Sequence, residues 1–439
     1  MSRQALLVLV AVALSNAATW CVRLGRPTVA ASLTRMLTTR RAVLAAAVLF
    51  PLAVWTGVFL VYGHPVSGDV DAFYRPQGRA AIGGEIPNRD FRSSYMPLFP
   101  YVIGAVDRVW PDDRAIPLFI ALCYAAFGLI WLRVLETGLG RGRLAASLAL
   151  AAMLNGAMWF LGIGYQQDEV LIAAILAAAV LLMLRQRDGA AGLALGIGCA
   201  ATKILLLVAA AGLVTAASRR MRMAGGIAAG LAPVLGVFML LGASPVEMVR
   251  QEAASLQPAS LITLAAAMPP LYEMVRGHAW IAQGAIAAWL LFVACFVRPA
   301  RSTARLESVA AGLAAAWLVF LLLSPKALTS YRLVVLPFLP LLLPARPAAI
   351  TAFAIYSTAV GVEYMLYEDW VNGPYALAFE GAASAAGRLQ LGALLALDTA
   401  IVACEAVWLA CALSRLRLPF GLRFPSRRAT ADVKAPEYV

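Results

Sequence analysis

Charged residues and histidines are scarce in this sequence. Only 13% of its 439 residues are charged and two are histidine, whereas 62% are hydrophobic. Soluble globular proteins carry about a quarter charged residues and about half apolar ones, so a soluble fold is excluded. The two histidines, His64 and His278, and six scattered cysteines lack the spacing of metal ligands. No metal centre is therefore predicted from them.

Long apolar runs recur along the whole chain. Most are close to the length of about 20 residues that crosses a hydrocarbon core. The run at 189–217 is too long for one span, so it predicts two short helices, or one broken helix, meeting near Lys203. We predict an all-α, polytopic membrane protein with about eleven to thirteen transmembrane helices. The predicted spans are 5–21, 42–62, 115–135, 144–161, 167–184, 189–217, 224–242, 280–297, 307–323, 333–344, 349–366 and 389–413.

The net charge of +13 reflects orientation in the membrane. With Arg40 and Arg41 on the cytoplasmic side, most lysines and arginines fall into alternate connectors, and most acidic residues fall on the other side. This is the positive-inside pattern of a multi-pass protein of the bacterial inner (cytoplasmic) membrane. It indicates contact with anionic membrane lipids and no binding of nucleic acid. We expect one transmembrane domain over 1–414 and a basic cytoplasmic tail over 415–439.

The longest polar connectors are predicted to face outward, at 63–114, 243–279 and 367–388. The first of these, 63–114, contains two carboxylates, Asp69 and Asp71, directly after a predicted span. Helical spacing places Tyr74, Gly78 and either Ala81 or Ile82 on one face of a short surface helix and Arg75 and Arg79 on another. A pair of guanidiniums suits a phosphate or diphosphate group. The alternative is an ordinary loop in which Asp and Arg form surface salt bridges.

Four elements of this loop follow one another in a fixed order: Gly68-Asp69, Tyr74, Gly84-Glu85-Ile86-Pro87-Asn88-Arg89-Asp90-Phe91 and Tyr95-Met96-Pro97-Leu98. The order resembles the first outer loop of GT-C type glycosyltransferases with a polyprenyl-phosphate sugar donor, especially glycosyltransferase family 87 and its mannosyltransferase relatives. Asn88 and Met96 depart from the family pattern, which has Tyr and Pro there. The resemblance extends to Gly164–Asp168, to Gly192–Lys203 and to Lys326–Pro337.

The resemblance implies inverting transfer of a sugar, often mannose in the family, to a lipid-linked or glycan acceptor in the cell envelope. It implies that Asp69 is the base that accepts the proton of the acceptor hydroxyl, with Asp71 as the second candidate. The alternative for Asp71 is a carboxylate that orients Arg75 or Arg79. No cofactor is expected, although the Asp69-x-Asp71 spacing would also suit a divalent cation.

Departure of a phosphate requires cations near the membrane surface. Lys203, Lys326 and Arg332 are candidates because ionisable residues in apolar surroundings are costly and usually functional. The alternative for Lys203 is snorkelling to the interface. For Lys326 and Arg332 the alternative is a role as ordinary anchors beside the membrane.

Sugar or acceptor contacts are predicted for Gln166, Gln167 and Asp168, which follow a span. Capping of the next helix explains Asp168 equally well. The same role is predicted for Tyr74, Arg89, Asp90, Tyr95 and Tyr331. The alternative functions are a membrane transporter or flippase for lipid-linked or small polar substrates, and a non-enzymatic lipid-binding or assembly partner. A transporter predicts charges at mid-membrane and internal repeats, and no repeat is evident.

Overall fold

Helices form nearly all of the regular structure. The computed structural model describes residues 10–17, 39–66, 68–244, 247, 256, 259–300, 303–343, 347–371, 375–382 and 384–419. In these ranges seven helices are long and apolar enough to cross a membrane, or eight if one bent pair is a single span. Three further apolar helices are shorter. The predicted all-α, polytopic membrane fold is confirmed.

The N-terminal half brings two spanning helices and an outer loop together. Residues 10–17 are helical, and the rest of the predicted span 5–21 lies outside the described residues. The loop 63–114 forms two short helices, α2 (Arg75–Ile82) and α3 (Leu98–Val109), and the first of them is the predicted surface helix. An added Cβ at Gly78 of α2 would lie 2.8 Å from Gly104 N of α3, so only glycine permits this close packing. The first helices are α1 (Arg40–Trp55), extended by a π-helical turn Thr56–Val61, α2 (Arg75–Ile82), α3 (Leu98–Val109) and α4 (Ala115–Leu139).

The predicted span 144–161 is a bent pair of helices. The helices α5 (Arg143–Met153) and α6 (Gly156–Trp159), the latter continued by a π-helical turn Phe160–Gly164, meet at an angle of 48°. Asn155 lies at the break, and its Oδ1 accepts a hydrogen bond of 3.2 Å from Met158 N. This cap replaces the backbone bonds that are lost at the bend.

Three short apolar helices follow along the chain. They are α7 (Glu169–Leu184), α8 (Asp188–Ala200) and α9 (Leu206–Ala216). At 1.5 Å per residue they measure about 24, 20 and 16 Å, less than a hydrocarbon core of about 30 Å. The predicted break near Lys203 is confirmed, since α8 ends at Ala200 and α9 begins at Leu206. This break places Lys203 beside the start of α7.

A glycine-lined contact holds α8 against the next helix, α10 (Arg220–Leu240). An added Cβ at Gly192 or Gly196 would collide with the carbonyl oxygen of Met223 or Ile227. Small residues allow helix backbones in membranes to approach this closely. Most of α10 lies at the surface of the domain, and Leu240 is 90% exposed.

The C-terminal half surrounds the helix α13 (Arg305–Leu323), whose side chains are almost all buried. The structure describes only part of the predicted loop 243–279. The helix α12 (Pro269–Phe296) begins inside this loop, before the start of the predicted span 280–297. Within the predicted loop 367–388 lies one more short helix, α15. The elements are α11 (Leu261–Ala265), α12 (Pro269–Phe296), β1 (Arg298–Pro299), α13 (Arg305–Leu323), α14 (Pro347–Trp370), α15 (Tyr375–Gly381), α16 (Ala385–Leu413) and β2 (Leu416–Arg417).

One predicted span of this half is corrected. The predicted span 333–344 is wrong, because the chain there forms the 3₁₀ segments Thr329–Val334 and Leu339–Leu342. Pro337 and Pro340 lack a backbone N–H and prevent a continuous α-helix. At the start of the predicted tail 415–439, Leu416–Arg417 pairs with Arg298–Pro299. The remainder of the tail, from residue 420, lies outside the described residues.

Candidate active site

The loop 63–114 brings Asp69 and Tyr74 into the candidate site. A π-helical turn, Val70–Tyr74, leads directly into α2, whose buried face contains Gly78 and Ala81. Tyr74 is 1% exposed and continues this face, as the helical spacing predicts. The turn thereby fixes Asp69 at its N-terminal end and Tyr74 at its C-terminal end.

Asp69 is held by a residue from a distant part of the chain. Its Oδ2 accepts a hydrogen bond of 2.8 Å from Gln167 Nε2, which also donates to Tyr165 O at 3.1 Å. Asp69 is half-buried, and its Oδ1 makes no hydrogen bond with any described residue. One carboxylate oxygen is therefore fixed while the other is left for a hydroxyl donor.

Lys203 binds two carboxylates at the start of α7. Its Nζ lies 2.7 Å from Asp168 Oδ1 and 2.7 Å from Glu169 Oε1. The ammonium also lies over the rings of Tyr95 and Tyr331, 5.3 and 5.4 Å from their centroids. Lys203 is 6% exposed. Its charge is thus compensated inside the protein, and the snorkelling alternative does not describe it.

Tyr74 connects the loop to the same carboxylates. Its hydroxyl donates to Asp168 Oδ1 at 3.0 Å, and its ring meets that of Tyr95 edge-on at 5.5 Å. Burial, and next the Asp168 carboxylate, raise the pKa of Tyr74 well above 10. Burial likewise raises the pKa of Tyr95. Both hydroxyls therefore stay protonated, and that of Tyr74 acts as a hydrogen-bond donor.

Asp168 occupies the N-cap position of α7, but its side chain makes no capping bond. The carboxylate turns instead toward Tyr74 and Lys203. Its neighbour Gln166 has a φ of 51° and donates its side-chain amide to Gly164 O. Gln166 is fully buried, and its side chain stabilises the turn by this hydrogen bond.

Sequence reasoning missed Glu169. It is fully buried and, with Asp168, gives Lys203 two anionic partners. The available signal was an acidic residue at the first position of an apolar helix, next to Asp168, with a lysine in the following apolar run. Asp168 Oδ2 and Glu169 Oε2 are buried without a hydrogen-bond partner among the described residues, so the cluster retains acceptor capacity.

Arg75 and Arg79 form a separate cluster with carboxylates. Arg75 Nη1 lies 3.1 Å from Asp71 Oδ1 and 2.8 Å from Asp113 Oδ1, and its Nε lies 3.3 Å from Asp107 Oδ1. Arg79 Nε lies 2.7 Å from the buried Asp107. These bonds match the alternative in which Asp71 orients Arg75. Phosphate binding by the two arginines stays a prediction, and the carboxylates offset their charge.

Arg332 is fully buried and binds a different carboxylate from those that bind Lys203. Its Nε lies 2.6 Å from Glu405 Oε1 of α16, and its Nη2 donates to Ala259 O at 2.7 Å. Tyr356 donates to the same Glu405 oxygen at 3.0 Å. Tyr331, one residue earlier, faces Lys203. In the short 3₁₀ segment Thr329–Val334, Tyr331 therefore contacts Lys203 of the site, whereas Arg332 joins the segment to α16.

The remaining predicted residues lie around this centre. Arg89 and Asp90 pair with each other at 2.7 Å, and Arg89 also donates to Leu241 O at the end of α10. The hydrogen bond from Arg89 lowers the pKa of Asp90. Lys326 is half-buried in a turn closed by the Ser324 hydroxyl. The described contacts do not join these three residues to Asp69.

The carboxylates of Asp69 and Asp71 have different partners: Asp69 accepts a hydrogen bond from Gln167, and Asp71 pairs with Arg75. In the described ranges no three His, Cys, Asp or Glu side chains are grouped as metal ligands. The five described cysteines are free, and Cys21 lies outside the described residues.

Comparisons with known proteins place the sequence in context. The model of a family described as "Glycosyltransferase family 87" matches residues 94–325, more than half of the chain. The match includes Tyr95, Gln167–Glu169 and Lys203 and begins after Asp69. In structure the chain is similar to ArnT from Cupriavidus metallidurans bound to undecaprenyl phosphate, with 16% identity, a TM-score of 0.47 and coverage of 85% of this chain and 77% of that one. No curated protein sequence matches the chain.

Proposed function

Since the chain belongs to glycosyltransferase family 87, we propose that it moves a sugar from a polyprenyl-phosphate donor to an acceptor hydroxyl on the extracytoplasmic face of the inner membrane. Family membership favours the enzyme over the transporter or flippase. The acceptor in this proposal is lipid-linked or a glycan. The sugar is mannose, as the resemblance of the first loop implies.

The observation that carries the proposal is the Asp69 carboxylate, which Gln167 fixes on one oxygen while the other accepts no hydrogen bond from a described residue. A carboxylate so placed accepts the proton of an acceptor hydroxyl as that oxygen attacks the anomeric carbon. The bond between the anomeric carbon and the phosphate oxygen breaks, and polyprenyl phosphate leaves with the electron pair. Attack opposite the leaving group inverts the anomeric centre.

The leaving phosphate is placed beside Lys203 in this proposal. An ammonium has three N–H donors, and two of them are directed at Asp168 and Glu169. The third is available to a phosphate oxygen. The carboxylates keep Lys203 protonated, and the Tyr95 and Tyr331 rings limit its movement. Tyr95 and Tyr331 also offer ring surface to a sugar.

The short helices give a reason for a lipid donor. Because α8 and α9 measure about 20 and 16 Å, Lys203 at their junction lies below the outer surface of a hydrocarbon core of about 30 Å. A phosphate attached to a prenyl chain reaches this depth from within the bilayer. A water-soluble nucleotide sugar would have to leave water to do so.

The direct test uses the purified full-length protein with radiolabelled polyprenyl-phosphate mannose or nucleotide-linked mannose, and a membrane extract as acceptor. The expected result is label transfer from the lipid donor alone. Transfer from the nucleotide sugar, or no transfer from the lipid donor, would contradict the proposal. Polyprenyl-phosphate glucose, offered in parallel, tests the choice of mannose separately.

A further inference from the structure

A second polar cleft lies at the end of α9 that is remote from Lys203. It has a volume of about 500 Å³ and is formed by the connector between α9 and α10 together with β1. The helix α9 separates it from Lys203 by about 16 Å. Basic connectors place this end of α9 on the predicted cytoplasmic face, so the cleft is distinct from the candidate active site.

Four arginines line this cleft: Arg219, Arg220, Arg222 and Arg298. No acidic side chain is among the described residues that line it. Arg220 donates to the carbonyl oxygens of Thr215 and Val297, and Arg298 donates to that of Cys295. Carbonyl groups orient these guanidiniums but do not neutralise them, so the cleft keeps a strongly positive potential.

The nearest buried acid is already engaged. Asp188 Oδ2 accepts a hydrogen bond of 2.7 Å from the backbone N–H of Arg219, and Asp188 Oδ1 lies 3.7 Å from Arg305 Nη2. Asp188 therefore fixes the connector while Arg305 offsets its charge. The side chains of Arg219 and Arg222 are exposed and make no ion pair or hydrogen bond with the described residues.

The N-terminus of α10 adds to the positive potential. No side chain in the described part of the chain caps this helix, and its first turn contains no acidic residue. The unpaired N–H groups of a helix N-terminus attract anions, and phosphate is a frequent ligand there. Arginines combined with such a terminus match a phosphate in both charge and geometry.

We propose that this cleft binds the phosphate group of an anionic membrane lipid. The lipid is favoured as the source because apolar surface adjoins the arginines directly. Met221, within the cleft, is 84% exposed, and α10 continues with exposed apolar side chains up to Leu240. Acyl chains would lie along α10 while the headgroup phosphate occupies the cleft. Anionic lipids of the cytoplasmic leaflet attract basic residues at this depth.

The test compares two double variants of the full-length protein in detergent. Arg219→Gln/Arg222→Gln removes two charges from the cleft. Arg141→Gln/Arg143→Gln removes two exposed charges from another basic connector, between α4 and α5, and serves as the matched control. Native mass spectrometry measures the binding of phosphatidylglycerol and of phosphatidylcholine, and unfolding curves confirm that both variants are folded.

We expect the unmodified protein to prefer phosphatidylglycerol, the cleft variant to lose at least about tenfold of this affinity, and the control to keep it. Equal binding of the two lipids, or equal losses in the two variants, would overturn the proposal. Millimolar inorganic phosphate identifies the source of the phosphate group. Retention of phosphatidylglycerol supports a lipid site, whereas its displacement would assign the cleft to free phosphate.

Discussion

Gln167 Nε2 lies 2.8 Å from Asp69 Oδ2, and this bond joins the first outer loop to the turn that begins α7. The two residues are 98 positions apart in sequence. Gln167 also donates to Tyr165 O, which anchors the amide in its own turn. Gln167 is therefore placed to orient the proposed base.

Replacement of this amide tests the orienting role. In Gln167→Leu the hydrogen bond to a charged group is lost, which costs about 1.5–3 kcal/mol. We expect kcat to fall about 10- to 100-fold while the donor KM changes little. The control is Gln77→Leu, which removes the acceptor of a hydrogen bond from the Ser93 hydroxyl in the same loop and leaves the bond between Gln167 and Asp69 in place. An equal loss of kcat in both variants would argue for a general effect on the loop.

The variant Lys203→Met tests whether the ammonium of Lys203 stabilises the buried carboxylates of Asp168 and Glu169. The change leaves Asp168 and Glu169 buried beside each other without a cation, and we expect a loss of about 3–5 kcal/mol of stability. Thermal unfolding in detergent measures it. The double variant Lys203→Met/Glu169→Gln removes one of the buried charges and should recover part of the loss.

The same two variants separate stability from donor binding. If Lys203 also contacts the donor phosphate, the donor KM stays raised in the double variant although stability recovers. A donor KM equal to that of the unmodified protein would restrict Lys203 to a structural role.

Tyr74→Phe tests the link between the loop and Asp168. The pKa of Tyr74 is raised in the folded protein, so its hydroxyl contributes stability below pH 10, and this contribution is lost as the pH rises above 10. We expect the variant to be less stable than the parent at pH 8 and the difference to shrink between pH 10 and 11. Unfolding curves at both ends of this range measure it. A difference that grows with pH would contradict the argument.

The pair of Arg332 and Glu405 is expected to act mainly in the packing of the 3₁₀ segment against α16. Each single variant, Arg332→Met and Glu405→Gln, leaves one buried charge unpaired, and should cost about 3–5 kcal/mol. The double variant should cost less than the sum of the two, as a double-mutant cycle of unfolding free energies would show. Additive losses would mean that the two side chains do not stabilise each other.

Two features of the site could be predicted from short-range patterns in the sequence. The face of Tyr74, Gly78 and Ala81 follows from helical spacing, and the break near Lys203 follows from the length of the apolar run. The bonds from Asp69 to Gln167 and from Arg75 to Asp107 and Asp113 join distant segments. A single sequence contains no signal for such pairings.

The prediction of a span at 333–344 was wrong for a different physical reason. Its hydropathy equals that of a span, but Pro337 and Pro340 deny it the backbone hydrogen bonds of an α-helix. Burial between neighbouring helices allows such irregular backbone at membrane depth. Hydropathy reports burial in an apolar medium and does not distinguish lipid from protein surroundings.

The most direct test of the proposed chemistry is the rate of sugar transfer by Asp69→Asn from polyprenyl-phosphate mannose. Asparagine keeps the shape of the side chain but cannot accept the proton, so kcat should fall about 100- to 10,000-fold. Asp71→Asn is the matched control, because Asp71 is exposed and pairs with Arg75, and it should keep most of the activity. Undiminished transfer by Asp69→Asn would contradict the assignment of Asp69 as the base.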